Sequence, residues 1–168
     1  EAWVNINDDL YFLEDGKILW QSERDGYAHL YRFEKSGNLV NQVTKGNWAL
    51  RSSGGPFWLR QSVVNIDEGK GLIYFTALEK SSIERHLYRV EMNGKGLTRL
   101  TVEDGVHQVG FSPNGKFFID KHSTINTLPS LALYHNDGKL VRNLSEPKSE
   151  LIEELNIQTP DLFAIPTS

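Results

Sequence analysis

The chain contains no cysteine in 168 residues. Disulfide cross-links, thiol nucleophiles and cysteine-rich zinc sites are therefore excluded. The compartment stays open, because many exported bacterial domains also lack cysteine. No apolar run approaches the ~18–20 residues of a membrane-spanning helix. Basic stripes are absent too: 18 Lys and Arg stand against 22 Asp and Glu for a net charge of −4, and the basic residues are scattered. Nucleic acid is accordingly not expected as a partner. Chemical motifs are equally sparse, with no G-x-S-x-G elbow, H-E-x-x-H, Gly-rich phosphate loop or EF-hand spacing. No catalytic, substrate-binding or metal-ligating residue is assigned, and no cofactor is expected. No leader-like segment is visible. The start at Glu1 without Met and the end at Pro166-Thr167-Ser168 give the expectation that both ends are cut.

What the chain does contain is a repeat. His29-Leu30-Tyr31-Arg32-Phe33-Glu34 returns 57 residues later as His86-Leu87-Tyr88-Arg89-Val90-Glu91. The register holds through Gly37/Gly94, Val43/Leu100 and Thr44/Thr101. In a third, weaker copy, Asp137-Gly138-Lys139-Leu140 through Ser145 aligns with Ser36-Gly37-Asn38-Leu39 through Thr44. Periods of roughly 40–50 residues mark a propeller or a solenoid. Three units are too few to close a propeller of about 4–8 blades. The expectation is an all-β open arc, a piece of something larger.

Within each unit, Asp-Gly and Ser-Gly pairs stand between short apolar runs, a hairpin signal because such turns need positive φ. Gly37, Gly94 and Gly138 are placed in equivalent turns between third and fourth strands. The first unit has strands at Leu10–Leu13, Ile18–Gln21, Ala28–Glu34 and Leu39–Thr44. Four-stranded antiparallel blades are predicted over about 8–48, 57–105 and 106–146, with strands of ~4–8 residues. The second strands, Ile18-Leu19-Trp20, Ile73-Tyr74-Phe75 and Phe117-Phe118-Ile119, are continuous apolar runs and read as buried on both faces. Third strands alternate and fourth strands are more polar, as an outer edge should be. A two-sheet sandwich is the alternative, but it does not require the same sequence in each quarter. Ala77–Met92 has fair helix propensity, yet the matching Arg24-Asp25-Gly26 is a turn, so no helix is expected there. Ser149–Leu155 is read as a short helix, with an N-cap and acids in its first turn. Asn156–Ser168, with Pro160 and Pro166, reads as an extended linker. The chain thus divides into a partial propeller over 1–148 and a helix and linker over 149–168.

Candidate functional residues each carry a plainer alternative. His29 and His86 share a repeat position, which favours packing or hydrogen bonding over catalysis. His107, His122 and His135 have no partner at fixed spacing. Asn5, Asn7 and Asp9 fall on one face of an innermost strand, either binding a cation or substrate or forming a solvated strand entrance. Asp67-Glu68 and Glu103-Asp104 precede glycines and read as turn residues. The Gly/Pro-rich stretch Arg51–Arg60 is either a surface loop tucking Phe57 and Trp58 inward or a contact loop for a partner.

Ser22-Glu23-Arg24-Asp25-Gly26-Tyr27 followed by His29-Leu30-Tyr31 resembles the dipeptidyl peptidase IV branch of the prolyl oligopeptidase family. Gln42-Val43-Thr44-Lys45-Gly46-Asn47-Trp48, Gly71-Leu72-Ile73-Tyr74-Phe75-Thr76 and His86-Leu87-Tyr88-Arg89 continue the likeness over roughly residues 3–160. Arg51–Arg60 departs from it. The resemblance implies the last three blades of an eight-bladed propeller, leading toward an α/β-hydrolase domain. It implies a parent serine exopeptidase that releases N-terminal dipeptides, and a secreted or periplasmic location. The triad and the paired glutamates that hold the substrate amine lie, by the same resemblance, in parts outside these residues. Glu153-Glu154 does not match that motif, and Asn5-Ile6-Asn7 after Trp3-Val4 departs from the family's cavity edge. The expected role is a non-catalytic part of the substrate-cavity wall. The alternative is a propeller scaffold for binding without a peptidase. Peptide substrate is expected only in the full-length enzyme. Isolated, the chain is expected to self-associate through bare end faces carrying Ile18-Leu19-Trp20 and Phe117-Phe118-Ile119.

Overall fold

The computed structural model describes residues 9–52 and 61–147, with isolated positions beyond 147. Among the described residues the elements are twelve strands in three four-stranded antiparallel sheets, each paired in chain order. The first sheet comprises β1 (Leu10–Phe12), β2 (Ile18–Ser22), β3 (His29–Phe33) and β4 (Leu39–Gln42). The second comprises β5 (Val63–Asp67), β6 (Leu72–Ala77), β7 (His86–Glu91) and β8 (Thr98–Arg99). The third comprises β9 (Val106–Phe111), β10 (Phe117–Ser123), β11 (Ser130–His135) and β12 (Leu140–Ser145). Two strands are shorter than expected: β1 has three residues and β8 two. The Ala77–Met92 stretch holds the end of β6, a turn and β7, not a helix. The expected helix at 149–155 falls largely outside the described residues, although Glu150 and Glu154 are helical.

Two apolar clusters hold the sheets together, and β6 supplies both. Ile73, Phe75 and Ala77 join Leu19, Leu30 and Leu13 between the first and second sheets. Tyr74, beside Leu72, joins Leu87, Val109 and Phe118 between the second and third. Alternate side chains of one strand leave its two faces, so β6 is covered on both. Expected burial on both faces fails for β2 and β10. Leu19 is buried while Ile18 and Trp20 are half-buried, and Phe118 is buried while Ile119 is 44% exposed. The physical reason is position. Among the described residues, only the middle sheet has a neighbouring sheet on each side, so the outward residues of the other two are not covered by another sheet.

Polar stitches run between sheets. Ala49 and Arg51 pair with the end of β6: Leu78 N–H donates to Ala49 O at 3.0 Å and Arg51 N–H to Thr76 O at 2.9 Å. Arg85 pairs with the start of β9, with Arg85 N–H on Gly105 O at 3.1 Å and His107 N–H on Arg85 O at 2.9 Å.

Gly37, Gly94 and Gly138 occupy the equivalent turns as expected, with φ of +87°, +85° and +91°. They differ in what lies beside them. A Cβ at Gly94 would stand 3.0 Å from Gln42 O, and at Gly138 3.2 Å from Leu100 O, both backbone of the preceding sheet; at Gly37 nothing lies within 4 Å. Alanine at each is expected to cost about 1 kcal/mol through the positive φ. Gly94→Ala should cost visibly more than Gly37→Ala, because backbone cannot step aside. Urea midpoints check this, and equal midpoints for the two variants would contradict it.

Candidate functional site

The histidines fall into two classes by what their ring nitrogens meet. His29 and His86 are buried and share one geometry. His29 Nδ1 lies 3.1 Å from Thr44 Oγ1, which accepts from Leu30 N–H at 2.9 Å. His86 Nδ1 lies 3.1 Å from Thr101 Oγ1, which accepts from Leu87 N–H at 3.0 Å. The remaining nitrogen reaches Gly46 O at 3.0 Å in one and Glu84 Oε2 at 2.9 Å in the other. Each Nε2–H donates to an oxygen that can only accept, which in a neutral imidazole leaves Nδ1 to accept from the threonine hydroxyl. The repeated His and Thr therefore pin the third strand to the segment that leaves the sheet. This is the structural role expected of them.

His107 and His122 belong to a different arrangement. The turn at Ser112–Lys116 sets the β9–β10 register and places His122 opposite His107. Their rings stack at 4.6 Å and 17°, and His86 joins the column from the second sheet with its centroid 5.0 Å from His107. His107 Nδ1 meets Asp120 Oδ2 at 2.6 Å, and its Nε2 meets Glu103 O at 2.9 Å. His122 Nε2 donates to Asp104 O at 2.8 Å, and its Nδ1 stands 3.5 Å from Glu103 Oε2. Glu103-Asp104 is thus a turn, as expected, but one whose carbonyls anchor two imidazoles. Burial pushes the His86 imidazole down from its ordinary value, against the opposing pull of the Glu84 hydrogen bond. The Lys80 ammonium, 2.8 Å away, is the main reason the Glu84 carboxyl drops to about 2, with His86 and Gly105 N–H adding to it.

Beside this column lies a crevice of about 520 Å³ between residues 100–103 and the face of the third sheet that turns toward the second. Asp120, Tyr134 and Leu140 line it from the sheet, and Leu100, Glu103 and Glu146 from its borders. Burial, and then the charges of Asp120 and Glu103, raise the Tyr134 phenol above its ordinary value. Asp120 and Tyr134 carried no signal in the sequence, because their proximity depends on the β10–β11 register.

Asp9 corrects the expectation of a solvated strand entrance: it is 4% exposed. Its Oδ2 accepts from Ser62 N–H at 2.8 Å and from the Ser62 hydroxyl, and its Oδ1 accepts from the Tyr11 hydroxyl. Burial first, and then the Asp9 carboxylate, push the Tyr11 phenol upward. Asp9 therefore clamps the first sheet to the second. Asp67 and Glu68 are turn residues in part: Asp67 Oδ1 accepts from Lys70 N–H at 3.0 Å, whereas Glu68 Oε2 accepts from Glu14 N–H of the first sheet at 2.7 Å. His135 packs against Phe117 with ring centroids 4.9 Å apart and planes tilted by 35°. Trp3, Val4, Asn5, Asn7, Phe57, Trp58 and Glu153 lie outside the described residues.

Comparison with known proteins places this architecture. The chain matches the family described as the dipeptidyl peptidase IV (DPP IV) N-terminal region over residues 1–129. It is 34% identical over 138 residues to the "Probable dipeptidyl peptidase 4" of Aspergillus flavus, covering 80% of this chain and 16% of that protein. With the dipeptidyl peptidase 4 of Trichophyton rubrum it shares 25% identity over 169 residues, 93% of this chain and 20% of that one. The crystal structure of Porphyromonas gingivalis dipeptidyl peptidase 4 superposes with a TM-score of 0.71 at 27% identity, covering 88% of this chain and 19% of that chain. The chain thus spans between 16% and 20% of the length of these relatives. With most of its residues inside the family match, and its sheets laid on those of a solved relative, the chain belongs to the dipeptidyl peptidase IV N-terminal region family, as part of that region's propeller.

Proposed function

We propose that the chain is a non-catalytic part of the propeller of a serine dipeptidyl peptidase, forming a stretch of the wall around the substrate cavity. The observation that carries this reading is where the histidines point. The ring nitrogens of His29, His86, His107 and His122 face threonines, carboxylates and carbonyls, and none faces a serine hydroxyl. A serine nucleophile needs a base within hydrogen-bond reach, and these imidazoles are committed elsewhere. In the parent enzyme the nucleophile and base would come from the hydrolase domain, and the outer faces of the first and third sheets would pack on further blades or, in the isolated chain, on each other.

The test is release of p-nitroaniline from Gly-Pro-p-nitroanilide by rigorously purified protein. No turnover is expected, and light scattering of the same preparation should give a mass that rises with concentration. Turnover that survives purification and disappears on mutating one serine of this chain would overturn the reading.

A further inference from the structure

We propose that the crevice between the second and third sheets binds the basic side chain of a peptide, a guanidinium or ammonium on an aliphatic stem, with Asp120 as its innermost anion. Asp120 is 3% exposed, yet only one of its carboxylate oxygens is used. Oδ2 meets His107, while Oδ1 is buried and has no hydrogen-bond partner. A buried carboxylate oxygen without a donor is costly, and such a group calls for a partner from outside. Asp120 lines a cavity of about 520 Å³, within the size range of small-ligand sites.

The chemistry of the lining selects the occupant. Glu103 and Glu146 add two carboxylates at the borders, so the crevice favours a cation. Among the described residues no group of three His, Asp or Glu could hold a metal ion. The lining is instead part acidic and part apolar: Leu100 and Leu140 offer surface for an aliphatic stem, beside Tyr134, whose ring is stacked on Phe118. Lysine and arginine side chains have this combination of a charged head and an apolar stem. The assignment does not depend on the peptidase reading, since every residue in it belongs to this chain.

The experiment is an NMR titration of the labelled 168-residue chain. The probes are the peptide acetyl-Gly-Arg-Gly-amide, its isosteric neutral citrulline analogue, and calcium chloride. The arginine peptide should shift the Tyr134 and His107 ring resonances saturably, and the citrulline peptide should bind at least ~10-fold more weakly, as expected when a charge-assisted contact is lost. Asp120→Asn and Glu146→Gln should each weaken binding at least ~3-fold. Glu146 is exposed, so its variant keeps the fold even if Asp120→Asn perturbs it. Glu34→Gln, on the first sheet's turn, should bind like wild type. Equal affinity for the citrulline peptide, wild-type affinity in both crevice variants, or calcium moving the same resonances more potently would each overturn the proposal.

Discussion

Phe75→Ala is expected to destabilise the chain by about 3–5 kcal/mol, the range for truncating a buried aromatic core residue. Phe75 is fully buried at 0% exposure in the cluster between the first and second sheets. Its ring stacks on Tyr88 at 5.8 Å and on Trp48 at 6.3 Å, so deletion leaves a cavity walled by two rings that cannot collapse into it without losing their other contacts. Phe12→Ala is the control. Phe12 is 78% exposed on the outward face of the first sheet, and its truncation should change stability by no more than about 0.5 kcal/mol in dilute solution. Urea unfolding followed by tryptophan fluorescence measures both. Comparable costs for the two variants would mean that the first sheet's outer face is packed and that Phe75 does not sit in the core between the first two sheets.

Asp9→Ala should cost about 3 kcal/mol, because it leaves the Ser62 amide and the Ser62 and Tyr11 hydroxyls short of their shared acceptor in a buried place. Ser62→Ala should cost only about 1 kcal/mol, since it removes a donor and strands none. The Ser62 hydroxyl also lies 2.5 Å from Gln21 Oε1, and the Tyr11 hydroxyl 3.3 Å from Val63 O, so some of the loss can be recovered locally. The double variant should therefore be less destabilised than the sum of the two single ones, with a coupling of about 0.5 kcal/mol or more. Additive single and double costs would show that Asp9 does not act through Ser62.

The two substitutions probe features that differ in how far they could be read from the chain. The cluster around Phe75 was legible, because an apolar run between turn signals marks a buried strand wherever neighbours exist. The same inference failed for Ile18-Leu19-Trp20 and Phe117-Phe118-Ile119. A run of apolar residues states what a strand could bury, and only the presence of a sheet on each side decides whether both faces are covered. Asp9 was misread for a related reason. Beside Asn5 and Asn7 it looks like part of a polar entrance, and nothing local shows that Ser62 of the next sheet turns its amide toward the carboxylate.

Sequence alone determined the number of sheets, the strand order within each, the shared turn glycines and the paired roles of His29 and His86. Each rests on local rules, the period of two along a strand, positive φ at a turn and recurrence of the same residues, which act over a few positions and need no knowledge of distant contacts. Tertiary structure alone decided the His86–His107–His122 column, the half-used carboxylate of Asp120 and the clamp at Asp9. These depend on strand register and on how one sheet lies against the next. A shift of a single residue in register would turn the side chains concerned to the opposite face and dissolve them.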